Sequence, residues 1–217
     1  GNQAGMADTT GSNTYMGYRA GASNSTGSGE TIIGFMAGQN VTGASNTLIG
    51  SSAGGSLGNA WGNTMIGTSA GSSSTGVYNT FIGMSTNGNV AASGNSVAIG
   101  YTAKSETYGV AVGNNTGATG AGSVAIGGSA AGLGATASAL GAVAIGSGNG
   151  IMSATASGIS SIAIGGGAAV TMASADGAIA MGGRSAMTSS NAQDAIAIGN
   201  GATGGGINSI ALGHTAN

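Results

Sequence analysis

Charge is almost missing from this chain. Five carboxylates and three cations, Arg19, Lys104 and Arg184, make up only 4% of 217 residues, whereas soluble domains carry about 25%. Water must therefore be met by Ser, Thr, Asn and backbone. Those groups suit a regular scaffold whose amides are already paired with one another. A net charge of −2 supplies no basic patch for neutralising phosphates, so no nucleic-acid partner is expected. The absence of cysteine excludes a disulfide framework and most soft-metal sites, and leaves the redox compartment open. No stretch approaches the 18 or more apolar residues of a membrane helix, and no charged, apolar and small-residue leader opens the sequence. Direct membrane insertion by this segment is not expected, and any export or anchoring parts lie outside it.

What the chain has in abundance is glycine, 48 residues, and it is placed periodically. A short apolar triplet or quartet ending in glycine recurs thirteen times: YMG at 15–17, IIG at 32–34, LIG at 48–50, MIG at 65–67 and FIG at 81–83, then VAIG at 97–100 and seven further copies ending with IALG at 210–213. The anchor glycines are 17, 34, 50, 67, 83, 100, 113, 127, 146, 165, 182, 199 and 213, and Gly1 reads as a fourteenth. The residues before each glycine follow a period of two, which a helix cannot keep on one face. They are strands. Each is too short to stand alone and must be covered by its equivalents in neighbouring coils about 4.8 Å away. The predicted fold is all-β, a parallel β-solenoid of about fourteen coils forming one continuous rod of roughly 65 Å. Glycine answers a sharp turn after the strand, where a Cβ is penalised. Alanine three residues later (Ala20, Ala37, Ala53, Ala70, Ala103, Ala130, Ala168, Ala202, Ala216) fits a second inward position.

Aligned on the glycine, the copies divide into two zones, residues 1–93 and 94–217. Three residues before the glycine the first zone carries Thr14, Thr31, Thr47, Thr64 and Thr80, and the second carries Val or Ile throughout. Two residues before it, Tyr15, Ile32, Leu48, Met65 and Phe81 give way to Ala98, Ala111, Ala125, Ala144, Ala163, Ala180, Ala197 and Ala211. The branched residues of the second zone, two apart, point to one side and are predicted to form the coil core. The alanines are then a close-packing stripe on the other side, and burying it against sister chains would add stability at roughly 25 cal/mol per Å². These eight alanines are the expected trimer interface.

The hexapeptides Asn95-Ser96-Val97-Ala98-Ile99-Gly100 and Asn208-Ser209-Ile210-Ala211-Leu212-Gly213 resemble the head repeat of the YadA-like trimeric autotransporter adhesins. The resemblance covers about 94–217. It implies a left-handed parallel β-roll, three chains around one axis, and display beyond a bacterial outer membrane to bind host matrix or other surfaces. The first zone, typified by Asn46-Thr47-Leu48-Ile49-Gly50-Ser51-Ser52-Ala53-Gly54, resembles a variant found in large bacterial surface proteins and phage fibres. The neck, coiled-coil stalk and membrane-anchor barrel of the family are not in this sequence, which reads as a window on something longer.

Several motifs tempt a catalytic reading. Gly50–Gly54 and Gly67–Gly71 match G-x-S-x-G, but the serine slot holds Arg19 and Met36 in other coils, and the one histidine, His214, lies far along the chain. No triad is expected. Gly199–Gly204 matches G-x-G-x-x-G, but no helix pattern follows to aim its N-terminus at a pyrophosphate. Asp8, Glu30, Glu106, Asp176 and Asp194 are scattered without metal-ligand spacing. Neither an enzyme nor a cofactor is expected.

Binding capacity is expected from the large side chains on a bland exterior: Tyr18 and Arg19, Trp61, and Tyr101, Lys104 and Tyr108. Many weak contacts multiplied by valency suffice for adhesion. The reading is an extracellular, surface-exposed fibrous adhesin head, a homotrimer attaching to extracellular matrix or cell-surface ligands and anchored to an outer membrane through parts outside this segment. A structural filament or phage tail-fibre shaft is the alternative. The threonine column in the first zone also raises an ice-binding solenoid.

Overall fold

The structure, a computed structural model, describes residues 1–87, 94–129, 132, 134–148, 153–166, 172–183, 186–187 and 192–217. The chain forms two compact units, Gly1–Thr107 and Tyr108–Asn217. Each is a parallel β-solenoid, and the described residues contain strands and turns but no helix.

In the first unit six three-residue strands, β1 Thr14–Met16, β2 Thr31–Ile33, β3 Thr47–Ile49, β4 Thr64–Ile66, β5 Thr80–Ile82 and β6 Val97–Ile99, stack in chain order. A two-residue strand, β7 Lys104–Ser105, follows. Register is uninterrupted, so that Thr31 pairs with Thr47, Ile32 with Leu48 and Ile33 with Ile49. Repeat spacing thus fixes pairing: each coil returns the same sequence slot to the same place. The ladder continues into the anchor, where the Gly34 N–H donates to the Met16 carbonyl at 2.8 Å and the Gly50 N–H to the Ile33 carbonyl at 2.8 Å.

In the second unit seven such strands, β8 Val110–Val112, β10 Val124–Ile126, β12 Val143–Ile145, β14 Ile162–Ile164, β16 Ile179–Met181, β18 Ile196–Ile198 and β20 Ile210–Leu212, make one sheet. Between them in sequence come two-residue strands, β9 Gly117–Ala118, β11 Thr136–Ala137, β13 Thr155–Ala156, β15 Met172–Ala173, β17 Ala186–Met187 and β19 Thr203–Gly204, which form a second parallel sheet. Among the described residues there are thirteen three-residue strands, one before each anchor glycine from Gly17 to Gly213.

The anchor glycine is required twice over. At Gly50 φ is +134°, outside the range of an L side chain, and a Cβ there would lie 2.5 Å from the carbonyl oxygen of Gly67 in the next coil. A second left-handed column stands five residues before the anchor. There Ser12, Ser45, Tyr78, Asn95, Tyr108, Ser160, Asp194 and Asn208 all have φ between 54° and 60°, a conformation that Asn and Asp tolerate better than most residues.

The core corrects the expectation about which face is inward. Ala98, Ala111, Ala125, Ala144, Ala163, Ala180 and Ala197 are fully buried and Ala211 is 2% exposed within a single chain. They are the interior of the coils, and none has a side chain left for a sister chain to touch. The Val and Ile residues on either side of each alanine are the outward column, half-buried or exposed.

The slot two residues before the glycine is inward in both units; what differs is the space it must fill. In the first unit Ile32, Leu48, Met65 and Phe81 fill it, with Val41 and Leu57 behind them, all essentially inaccessible. In the second unit the short second sheet brings its own buried alanines, Ala118, Ala137, Ala156 and Ala173, into the same interior. Only methyl groups fit on both sides of so thin a layer. The alanines three residues after the anchor are inward as expected at Ala20, Ala37, Ala53, Ala70, Ala103 and Ala202. Ala216, in the last coil, is half-buried, and Ala130 and Ala168 lie outside the described residues.

Candidate binding and association surfaces

Four of the side chains singled out for binding are exposed aromatics: Tyr18 at 43%, Trp61 at 47% and Tyr101 at 48% in the first unit, and Tyr108 at 66% in the second. Lys104 is exposed as well. Arg19 differs. It is half-buried with φ 54°, and its Nε is enclosed without a hydrogen-bond partner.

Two of these aromatics, Tyr18 and Trp61, draw on a coil neighbour that was not among the residues singled out for binding. Tyr18 stacks on Phe35 with ring centroids 5.5 Å apart and planes 19° from parallel, because both occupy the slot just after an anchor glycine in successive coils. Trp61 meets Tyr78 edge-on at 4.6 Å. Pairs of this kind add about 0.5–1.5 kcal/mol beyond burial. They hold large apolar rings fixed at the surface, which lowers the ordering cost of a contact. The signal was in the spacing: 17 residues separate the members of each pair, one coil length.

The polar interior of the first unit was also missed. Four residues before each anchor stand Asn13, Glu30, Asn46, Asn63, Asn79 and Ser96, and from Glu30 onward these are buried. From Asn13 to Asn79 each side-chain oxygen accepts from the next coil. Asn46 Oδ1 accepts from the Asn63 N–H and Nδ2, both at 3.0 Å; Asn63 Oδ1 from the Asn79 N–H at 2.9 Å and Nδ2 at 3.1 Å; and Asn79 Oδ1 from the Ser96 hydroxyl at 2.7 Å. Such a ladder satisfies buried amides that the thin coil cannot pair otherwise. Glu30 is the one acidic rung. Burial pushes its carboxyl up to about 7, opposed by the donors of Asn46. Nearby, burial pushes the Tyr15 phenol up to about 12. The half-buried Asp8 carboxyl is held below the usual range by hydrogen bonds from Thr10 and Asn13.

The tempting motifs resolve into turn slots. Ser52 and Ser69 both have φ 56°, and their N–H groups bond to the carbonyls of Phe35 and Ser51 in the preceding coils. Arg19 and Met36, with φ 54°, occupy the same slot. Gly199–Gly204 runs from the end of β18 into β19, with no helix behind it. His214 is exposed in the same slot as Tyr18, Phe35 and Tyr101. Among the described residues no three His, Cys, Asp or Glu side chains gather as metal ligands, and no helix is long and apolar enough to cross a membrane.

The outward column of the second unit is a continuous apolar row. Val143, Ile162, Ile179 and Ile196 pair in register along one row, and Ile145, Ile164, Met181 and Ile198 along another. Beside them runs an open groove of about 510 Å³. It is floored by Ile145 and Ile164 and bounded by the corners Gly146–Gly148 and Gly165–Gly166.

Residues 105–130, 156–185 and 190–216 match the family model described as the YadA head domain repeat (2 copies). These three stretches thus resemble the head repeat of the YadA-like adhesins. The matched residues begin at 105, so nearly all of the first unit lies outside them. No curated protein and no solved structure matches the chain.

Proposed function

We propose that the chain is a surface-exposed adhesin head segment that works as a homotrimer, with the outward Val/Ile column of the second unit as the association surface. The observation that carries this reading is the register of that column. Seven successive coils present branched apolar side chains on one face, where a monomer would leave them in water. Contiguous apolar faces of this kind mark interaction sites, and covering them stabilises by roughly 25 cal/mol per Å². The association surface is therefore not the alanine column first expected from the sequence, which the coil itself occupies.

Attachment to extracellular matrix or other surfaces then falls to the side chains left outside the column: Tyr18 and Arg19, Trp61, Tyr101 and Lys104, and Tyr108. Three copies of each, displayed together, give avidity without any deep site. The test is adhesion of the purified chain to matrix-coated surfaces, beside a chain carrying Tyr18→Ala, Trp61→Ala, Tyr101→Ala and Tyr108→Ala together. Retention of the parent and at least a tenfold loss in the variant is expected. Equal retention of both would remove these side chains from the reading.

The first unit supports a second reading. Thr14, Thr31, Thr47, Thr64 and Thr80 pair directly with one another on the outward side of the strands, a flat hydroxyl and methyl ladder that suits ordered water. Thermal hysteresis in a solution of the chain supports an ice-binding role; freezing indistinguishable from buffer dismisses it.

A further inference from the structure

The first unit carries an aromatic pair with open ring faces in a stretch of chain that has no charge. Trp61 stands in the turn before β4, six residues ahead of its anchor Gly67, and Tyr78 in the turn before β5, five residues ahead of Gly83. The two turns are joined by the Tyr78 N–H, which donates to the Trp61 carbonyl at 3.1 Å. Gly62, left-handed at φ +68°, makes the room, since a Cβ there would lie 2.8 Å from Tyr78 Cδ1. The rings meet edge-on with planes at 70°, and each keeps about half of its surface in water, 47% for Trp61 and 50% for Tyr78. Tyr18 and Phe35 differ in this respect. Those rings lie 19° from parallel and each covers one face of the other, whereas an edge-on contact covers a face of one ring only.

Charge decides what can lie on the open faces. From Thr31 to Ala103 the chain has no Asp, Glu, Lys, Arg or His, so an ionic ligand finds no counter-charge in these coils. Hydroxyl and amide groups stand around the pair instead. Ser45, one coil before Trp61, and Asn95, one coil after Tyr78, occupy the Tyr78 slot, and Asn59 precedes Trp61 by two residues; all three are exposed. A purely apolar partner would cover these groups without pairing them. A neutral sugar suits both kinds of surface. One face of a pyranose is a patch of C–H groups whose slight positive charge matches the negative face of an aromatic ring, and its hydroxyls pair with amides and hydroxyls at the rim.

We infer that Trp61 and Tyr78 form a binding site for the pyranose rings of a neutral oligosaccharide, with Ser45, Asn59 and Asn95 at its rim. This rests on the adhesin reading and names a class of ligand for it. It also explains why two large aromatic side chains stand together in water on coils otherwise surfaced by small polar residues.

Trp61 is the one tryptophan of the chain, so tryptophan emission reports on this site alone. The whole chain is titrated with cellotetraose, maltotetraose, mannotetraose and chitotetraose, and with a heparin tetrasaccharide as the charged counterpart, to about 10 mM, which detects dissociation constants of roughly 1 mM. A saturable blue shift with at least one neutral sugar, and none with heparin, is the expected result. Tyr78→Asn, which places there the residue type that the same slot holds at Asn95, should raise that dissociation constant at least tenfold with the circular dichroism of the chain retained; Phe35→Ala should leave it unchanged. Silence with all four neutral sugars overturns the site, and so does a shift with heparin alone. A shift that appears on concentrating the chain without sugar also overturns it, assigning the rings to a second copy. Adhesion to matrix-coated surfaces is measured on the same preparation. Adhesion without any sugar response overturns the site and leaves the adhesin reading standing; a saturable sugar response without adhesion supports the site and removes matrix attachment; failure of both removes both.

Discussion

Asn46 donates to the carboxylate of Glu30 from its backbone N–H at 3.2 Å and from its side-chain amide at 3.0 Å, and all of these groups are buried. Elsewhere in that ladder the acceptor is a neutral amide. The backbone N–H of Glu30 is itself held by Asn13 Oδ1 at 2.9 Å. Burial pushes the carboxyl toward its protonated form, and the two amide donors of Asn46 only partly oppose that push.

The consequence for stability has a definite sign. Because the folded group titrates near 7 and the unfolded one near 4.5, the fold holds the proton more tightly. The contribution of Glu30 is fully present below about pH 4.5 and is lost as pH rises to about 7. The loss is on the order of 3 kcal/mol. Asp8 acts in the opposite sense, its contribution present above its ordinary value of 3.8 and lost below it. Hydrogen exchange at the Asn46 and Asn63 amides should accelerate from pH 4.5 to 7 after correction for intrinsic rates, and Glu30→Gln should abolish that trend. An unchanged trend in Glu30→Gln would assign it elsewhere.

The neutral rungs can be tested separately. Asn63→Ala removes the acceptor of two Asn79 donors and a donor to Asn46, leaving buried polar groups unpaired at about 1–3 kcal/mol each. A loss of about 2–5 kcal/mol in denaturant unfolding is expected. A loss below 0.5 kcal/mol, roughly the level of a surface substitution, would show that the ladder carries no stability.

The inward slot allows a paired comparison across the two units. Leu48→Ala empties a filled interior and should cost about 2–5 kcal/mol. Ala144→Leu overfills a thin one and should cost about 1–3 kcal/mol or more. Were Ala144 outward, leucine there would leave the stability of the separated chain unchanged and alter only association. Unfolding of the chain at concentrations below association distinguishes the two.

Much of this architecture could be read from the sequence. Thirteen anchor glycines at coil spacing specify parallel strands in register, and the family resemblance follows from Asn95–Gly100 and Asn208–Gly213. The direction of each strand face could not be read in the same way. In Val-Ala-Ile, bulk alone assigns Val and Ile to the core, and only the second sheet, with Ala118, Ala137 and Ala156 facing the same interior, leaves no room for them. Those two-residue strands carry no pattern long enough to recognise. The asparagine ladder stood in plain sequence at Asn46, Asn63 and Asn79, but in a chain rich in Asn, Ser and Thr it looked like turn composition until its hydrogen bonds were seen.

The outward branched column of the second unit is the proposed surface where copies meet. Sedimentation equilibrium of the chain beside a Val143→Asp, Ile162→Asp variant tests this most directly, with circular dichroism as a check on folding. The expected result is three chain masses for the parent and one for a variant that keeps its β-sheet signal. A parent at one chain mass, or a variant still at three, would contradict it.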